Sequence, residues 1–241
     1  MKLALLTTLL AVAVAVPASA QRQQTGMGFR LGQDVQDHRK VRADTPPGQV
    51  LMMTAECLAS KRAKLVGAYL RTIPASAEEG ASYEAISPHV TKCMPDMAFE
   101  NVGNVQSARG KMTLSFDHSV LRGALAEAAL RKADIDIAVP VKFHDDAGMY
   151  AAEQYHAGRS TDLQRVYTLG FAGCVMGYNA ASLEKLFATG PGSTEERAAI
   201  QAMAPSFSEC VMEGQTLSIQ PSMLRNQIAE ALYYAVRVEE S

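Results

Sequence analysis

Residues 57–93 read CLASKRAKLVGAYLRTIPASAEEGASYEAISPHVTKC, and residues 174–210 read CVMGYNAASLEKLFATGPGSTEERAAIQAMAPSFSEC. Each segment begins and ends with cysteine, and both have the same length. Laid on each other without a gap, at an offset of 117, they share 11 of 37 positions. Beyond the cysteines the identities include Ala63/Ala180, Thr72/Thr189, Pro74/Pro191, Ser76/Ser193, Glu78-Glu79/Glu195-Glu196 and Pro88/Pro205. A second block matches at an offset of 103. It covers Thr113-Leu114-Ser115 with Thr216-Leu217-Ser218, Leu121-Arg122 with Leu224-Arg225, and Ala126-Glu127-Ala128 with Ala229-Glu230-Ala231. Nine of its 16 positions are identical, and the change of offset (117 − 103) gives the first half 14 extra residues. The chain therefore reads as two diverged copies of one unit.

The shared residues are instructions for helices. Pro-x-Ser-x-Glu-Glu, at 74–79 and 191–196, is a helix start: the serine caps free N–H groups and the second glutamate reaches back, as in a capping box. Both glutamates also sit in the positive first turn of the helix dipole. Before each first cysteine runs a longer helical pattern, from Gln49 to Arg71 and from Leu163 to Ala188. After each second cysteine, Ser119 and Ser222 read as N-caps, with Leu121, Leu125 and Ala128, and Leu224, Ile228 and Leu232, as buried stripes. Pro88 and Pro205 predict a break or kink near Ser87 and Ala204, because proline lacks the N–H donor and clashes with the preceding turn. The fold class is mainly α: two tandem, disulfide-stapled three-helix units, with six principal helices in all.

The flanking segments set the compartment. Lys2, the apolar run Leu3–Val16 and the small-x-small ending Ala18-Ser19-Ala20 have the three parts of a secretory signal. The apolar run is too short to span a bilayer, which takes about 20 residues. The mature chain is expected to begin near Gln21 in the periplasm or outside the cell. Residues 21–48 are read as a poorly ordered leader, 49–132 as unit 1, 133–159 as a linker and 160–238 as unit 2. Alternation over Ile135–Phe143 suggests a short strand in the linker, confined to an edge by Pro140. In an oxidising compartment four cysteines form two bridges, and the repeated 36-residue spacing favours Cys57–Cys93 and Cys174–Cys210. The net charge of −2 gives no electrostatic reason to propose nucleic acid or an anionic membrane surface as partner. No cofactor is implied.

Catalytic signatures are missing: the chain has no G-x-S-x-G elbow, H-E-x-x-H helix, phosphate loop or C-x-x-C pair. Asp117-His118 is the most enzyme-like pair, although Gln220-Pro221 stands at the matching place. An envelope hydrolase would need Asp117, His118 and Glu127 to line one cleft. A metal-handling protein would need sulfurs of Met52, Met53, Met94, Met97, Met112, Met176, Met203, Met212 or Met223 to meet in space for copper, or His144 with Asp145 and Asp146 to do so for a hard or borderline cation. Arg122 and Glu127 recur as Arg225 and Glu230, the candidates for a repeated polar site. Five residues apart on a helix, they do not face each other. The simplest reading gives them contacts with other helices of their own unit, or with solvent, and gives Glu127 the partner Arg131 one turn on.

Cys57, Pro74–Glu79, Cys93 and Leu121–Ala128, with their second-copy counterparts, make a pattern that resembles a group of uncharacterised exported proteins of Gram-negative bacteria. The resemblance implies an envelope protein with no assigned activity. The leading expectation is a non-enzymatic binding or scaffold module that meets another envelope protein or a small ligand.

Overall fold

The computed structural model describes residues 40–42, 44–98, 118–133, 160–211 and 220–239. The signal segment, Asp117, the alternating stretch of the linker and His144–Asp146 lie outside them. In chain order the elements are β1 (Lys40–Arg42), α1 (Pro47–Lys61), α2 (Ala63–Leu70), α3 (Ala77–Cys93), β2 (Asp96–Ala98), α4 (His118–Lys132), α5 (Leu163–Tyr178), α6 (Ala180–Ala188), α7 (Thr194–Met203), a 3-10 turn (Ala204–Ser206), α8 (Phe207–Cys210) and α9 (Pro221–Glu239). The chain is mainly helical and carries two disulfides, Cys57–Cys93 and Cys174–Cys210.

The centre is the pair α4 and α9, which make the most extensive helix–helix contact among the described residues. Helix α1 lies on α4, and α5 lies on α9. The crossing is close because Gly123 has no side chain. A Cβ built there would stand 2.4 Å from both Cβ and the carbonyl oxygen of Asn226. Asn226 is the residue that matches Gly123 at the offset of 103. The apolar core is one cluster running through both halves, from Leu58, Tyr69 and Ile86 through Leu121 and Leu125 to Leu169, Phe187, Ile228 and Tyr234.

Each half begins against the turn of the other. A Cβ on Gly192 would come within 2.8 Å of Pro46, and one on Gly48 within 3.2 Å of Pro191. Conversely, Ser160 Oγ donates to the carbonyl of Pro74 at 2.9 Å. The turns themselves match: Ala75 and Gly192 both adopt positive φ, 62° and 80°.

Four expectations are corrected. The long helices are broken at Arg62 and at Asn179, matching positions with nearly the same non-helical geometry, φ −136° ψ 35° and φ −127° ψ 31°. The bend lets α2 fold back onto α3 while the Cys57–Cys93 bridge ties α1 to the end of α3, a tertiary demand with no proline or glycine to announce it. Second, α3 runs unbroken through Pro88, whereas the second half does break, at Ala204–Ser206. Pro88 and Glu84, whose carbonyl loses its donor, are both exposed to water. In the second half Ser206 Oγ donates to the Met203 carbonyl at 2.7 Å and accepts from Asn179 Nδ2 at 2.6 Å, which holds the 3-10 turn. Third, Ser119 and Ser222 lie inside the first turns of α4 and α9 rather than at their caps. Fourth, part of the presumed leader is structured: Lys40–Arg42 pairs in parallel with Asp96–Ala98, and Pro47 opens α1 at the first helical position, where its missing donor costs nothing.

Candidate functional site

The repeated arginines and glutamates converge in the interior between α4 and α9. Arg122 is fully buried, and its guanidinium is saturated. Nε donates to Glu230 Oε1 at 2.8 Å; Nη1 donates to Glu79 Oε1 at 3.0 Å, to Thr72 Oγ1 at 2.9 Å and to the Tyr69 carbonyl at 3.1 Å; Nη2 donates to the carbonyls of Leu70 and Thr72 at 2.9 and 2.6 Å. The Tyr69 ring lies 5.2 Å beneath the guanidinium carbon.

Arg225 repeats this set. Nε and Nη2 form a fork on Glu127 at 2.9 and 2.7 Å. Nη1 meets the Leu186 carbonyl, Thr189 Oγ1 and Glu196 at 3.0, 3.1 and 3.4 Å, and Nη2 meets the Thr189 carbonyl at 3.1 Å. Phe187 supplies the ring, 5.6 Å away. Each arginine thus closes the carbonyl end of its own α2 or α6 and then crosses to a glutamate on the opposite half. Contacts confined to one unit, as the sequence suggested, account for only part of this.

Glu79 and Glu196 join the helix starts to the network. Ser76 and Ser193 accept from the N–H groups of Glu79 and Glu196 at 3.1 and 3.0 Å. The returning carboxylates, however, accept from Ala75 and Gly192, one residue before the cap, at 2.7 Å in both cases. That placement leaves Oε1 of each glutamate to face the arginine.

Glu127 and Glu230 each take further partners. Arg131 donates to Glu127 at 2.7 Å, the expected one-turn pair, and also to the Phe187 carbonyl at 2.6 Å. At the position matching Arg131 stands Tyr234, whose hydroxyl meets Glu230 at 3.2 Å and donates to the Leu70 carbonyl at 3.0 Å. Arg165 of α5 supplies the second cation for Glu230. Four arginines (Arg122, Arg131, Arg165 and Arg225) therefore balance four carboxylates (Glu79, Glu127, Glu196 and Glu230).

The electrostatics follow from this pairing. Burial alone pushes the Glu127 carboxyl up, but Arg225 and then Arg131 overcome it and hold the group below the usual carboxylate range. Burial works against the charge on Arg122, yet Tyr234, Glu230 and Glu79 hold it firmly protonated. Burial, with Glu230 adding to it, keeps the Tyr234 hydroxyl protonated far above its ordinary range. Arg122, Glu127 and Tyr234 are each held in one ionisation state by their partners. The arrangement clamps helices together.

Of the hydrolase residues, His118 and Glu127 are not brought together. His118 lies exposed at the start of α4, stacked on Tyr83 with ring centroids 4.0 Å apart, while Glu127 is fully buried between Arg225 and Arg131. Asp117 is outside the described residues. Met176 and Met203 are buried in the apolar core among leucine, isoleucine and phenylalanine. No group of three or more His, Cys, Asp or Glu side chains among the described residues is placed to hold a metal ion. Sequence reasoning missed Thr72 and Thr189, although both recur in the alignment. It also missed Arg165 and Tyr234, for which matching positions hold Gly48 and Arg131 and give no signal. Comparison with protein-family models, with curated proteins and with solved structures finds no match to this chain.

Proposed function

We propose that the protein is an exported, disulfide-stapled module of the cell envelope that works by binding another envelope protein or a small ligand. It consists of a signal segment at 1–20 and two diverged copies of one helical unit, 49–132 and 160–238, joined by 133–159. The copies form one interlocked body around a pseudo-twofold crossing at Gly123 and Asn226. The observation that carries this reading is the reciprocal exchange of Arg122 to Glu230 and Arg225 to Glu127. The polar residues shared by the copies are engaged in holding the body rigid, and a rigid scaffold lowers the entropic cost of presenting a binding surface. Export is supported by the leader pattern together with two disulfides, and no helix among the described residues is long and apolar enough to cross a membrane. The resemblance to exported envelope proteins without assigned activity fits the same picture.

The test is native mass spectrometry of protein purified from the envelope fraction without reductant. The expected species begins at Gln21, is lighter by the four hydrogens of two disulfides, and retains a second chain or a small molecule. A full-length, reduced mass overturns the export reading; a bare chain that stays bare across candidate envelope fractions overturns the binding reading.

A further inference from the structure

The near-neutral balance of the whole chain conceals a local concentration of positive charge. Lys61 closes α1, Arg62 is the residue at the break, and Lys64 lies in the first turn of α2; all three are exposed. Arg62 Nε donates to His89 Nδ1 at 3.2 Å, which brings in the end of α3. Exposed Lys92 sits one turn beyond His89 in α3. Lys132, exposed at the end of α4, donates to the carbonyls of Ala59 and Ser60 at 3.0 and 3.4 Å, directly beside Lys61. Five exposed cations from four helices thus share one end of the first half. Segments 59–65, 87–94 and 129–133 contain no aspartate or glutamate.

The second half is an internal control. Under the two offsets, Lys61, Arg62, Lys64, His89, Lys92 and Lys132 match Tyr178, Asn179, Ala181, Ser206, Glu209 and Ala235. The break is the same there, and even the contact is kept: Asn179 Nδ2 donates to Ser206 Oγ at 2.6 Å where Arg62 donates to His89. The local fold therefore forms without any of the cations. Completing helix dipoles does not require them either, since α5 has no basic residue in its last turn.

We infer that this end of the first half is a docking surface for an anionic lipid bilayer. Four of the five cations are lysines. Lysine is a hydrated point charge that suits a diffuse field of phosphate headgroups, whereas protein interfaces favour arginine and are depleted in lysine. A cluster of this size is the footprint that anionic lipid surfaces attract. The surface would add a membrane contact to the binding role proposed above. Its test uses purified protein and does not depend on export or on any protein partner.

The experiment is co-sedimentation of the 21–241 chain with phosphatidylcholine vesicles, with and without phosphatidylglycerol. Binding is expected only with phosphatidylglycerol, and is expected to vanish at high salt. Replacing patch residues by those of the second half (Lys61→Tyr, Arg62→Asn, Lys64→Ala) should weaken binding about fivefold for each cation removed. Lys185→Ala with Arg197→Ala, two exposed cations elsewhere, should leave it unchanged. Circular dichroism establishes that each variant is folded, and Lys61→Ala alone serves should the triple variant fail. Absence of binding to phosphatidylglycerol vesicles overturns the inference, as does an equal loss in the Lys185/Arg197 variant. Binding to soluble polyglutamate but not to vesicles also overturns it, and assigns the surface to an acidic protein.

Discussion

Arg122 on α4 and Glu230 on α9 stand 108 residues apart in sequence, yet their side chains meet at 2.8 Å with neither exposed to solvent. The reverse pair, Arg225 and Glu127, meets at 2.7 Å across 98 residues. Such a contact is a poor source of net stability compared with apolar packing, because desolvating two charges nearly offsets their attraction. It is a strong source of specificity, since any other docking of the halves would leave these charges unpaired. Removing one member is costly for the same reason. Arg122→Met is expected to destabilise by about 3–5 kcal/mol, because Glu230 and Glu79 lose a shared cation in the interior. Arg131→Met, at the partly exposed rim, is expected to cost less, about 1–2 kcal/mol. Urea denaturation of the two variants checks the order. Equal losses would show that the interior pair is no more constrained than the rim.

Gly123 gives a second prediction, because the helix crossing has no room there. A methyl group at this position meets the backbone of Asn226 at 2.4–2.6 Å, and backbone cannot step aside as a side-chain tip can. Gly123→Ala is expected to force α4 from α9 and cost about 3 kcal/mol or more, at the upper end of overpacking. Gly80 is the control. It lies exposed in α3 with nothing within 4 Å of a built Cβ, so Gly80→Ala should stabilise by about 1 kcal/mol through helix propensity. Thermal melts of the pair should move in opposite directions.

The contrast between local and distant information explains what the sequence made legible. Ser76, Ser193 and the glutamates after them read correctly as helix starts because a capping interaction spans only a few residues. The cysteine spacing likewise carried its own pairing. The break at Arg62 carried no such mark: it arises because a disulfide and a returning helix demand a bend, and neither demand is encoded at the bend itself, whereas Gly177 and Asn179 are residue types that favour a helix end. Arg122 and Glu127 were visible as repeated residues. Their partners were not, because aligning the two segments shows what recurs but not which half each side chain reaches. Glu79 was legible as a cap and hidden as an ion-pair partner for the same reason.

The disulfides make a third prediction. Each closes a loop of 36 residues and ties the first helix of its half to the segment ending at the second cysteine. By the chain-entropy estimate, each contributes roughly 3–4 kcal/mol. Cys57→Ser with Cys93→Ser, and Cys174→Ser with Cys210→Ser, should each lower the urea midpoint. Because one core runs through both halves, each double variant is expected to unfold in a single transition. Two separated transitions would mean that the halves are independent domains and that the central ion pairs do not couple them.

The pH dependence follows from Glu127. Its folded pKa is held below its ordinary value of 4.5, so the folded state releases this proton more readily than the unfolded chain. A depressed carboxylate contributes its full stability above the unfolded pKa and loses it as pH falls through the folded one. The protein should therefore keep its melting temperature down to about pH 4.5 and lose it steeply below, as Glu127 is protonated against Arg225 and Arg131. Glu127→Gln should lower stability at neutral pH, since a neutral amide leaves Arg225 with only the more distant Glu196 as counter-charge. It should also flatten the acid limb, because the titrating group is gone. Melting temperatures of both proteins across the acid range decide the matter. A parallel downward shift, with the acid limb unchanged, would assign the acid sensitivity to other carboxylates.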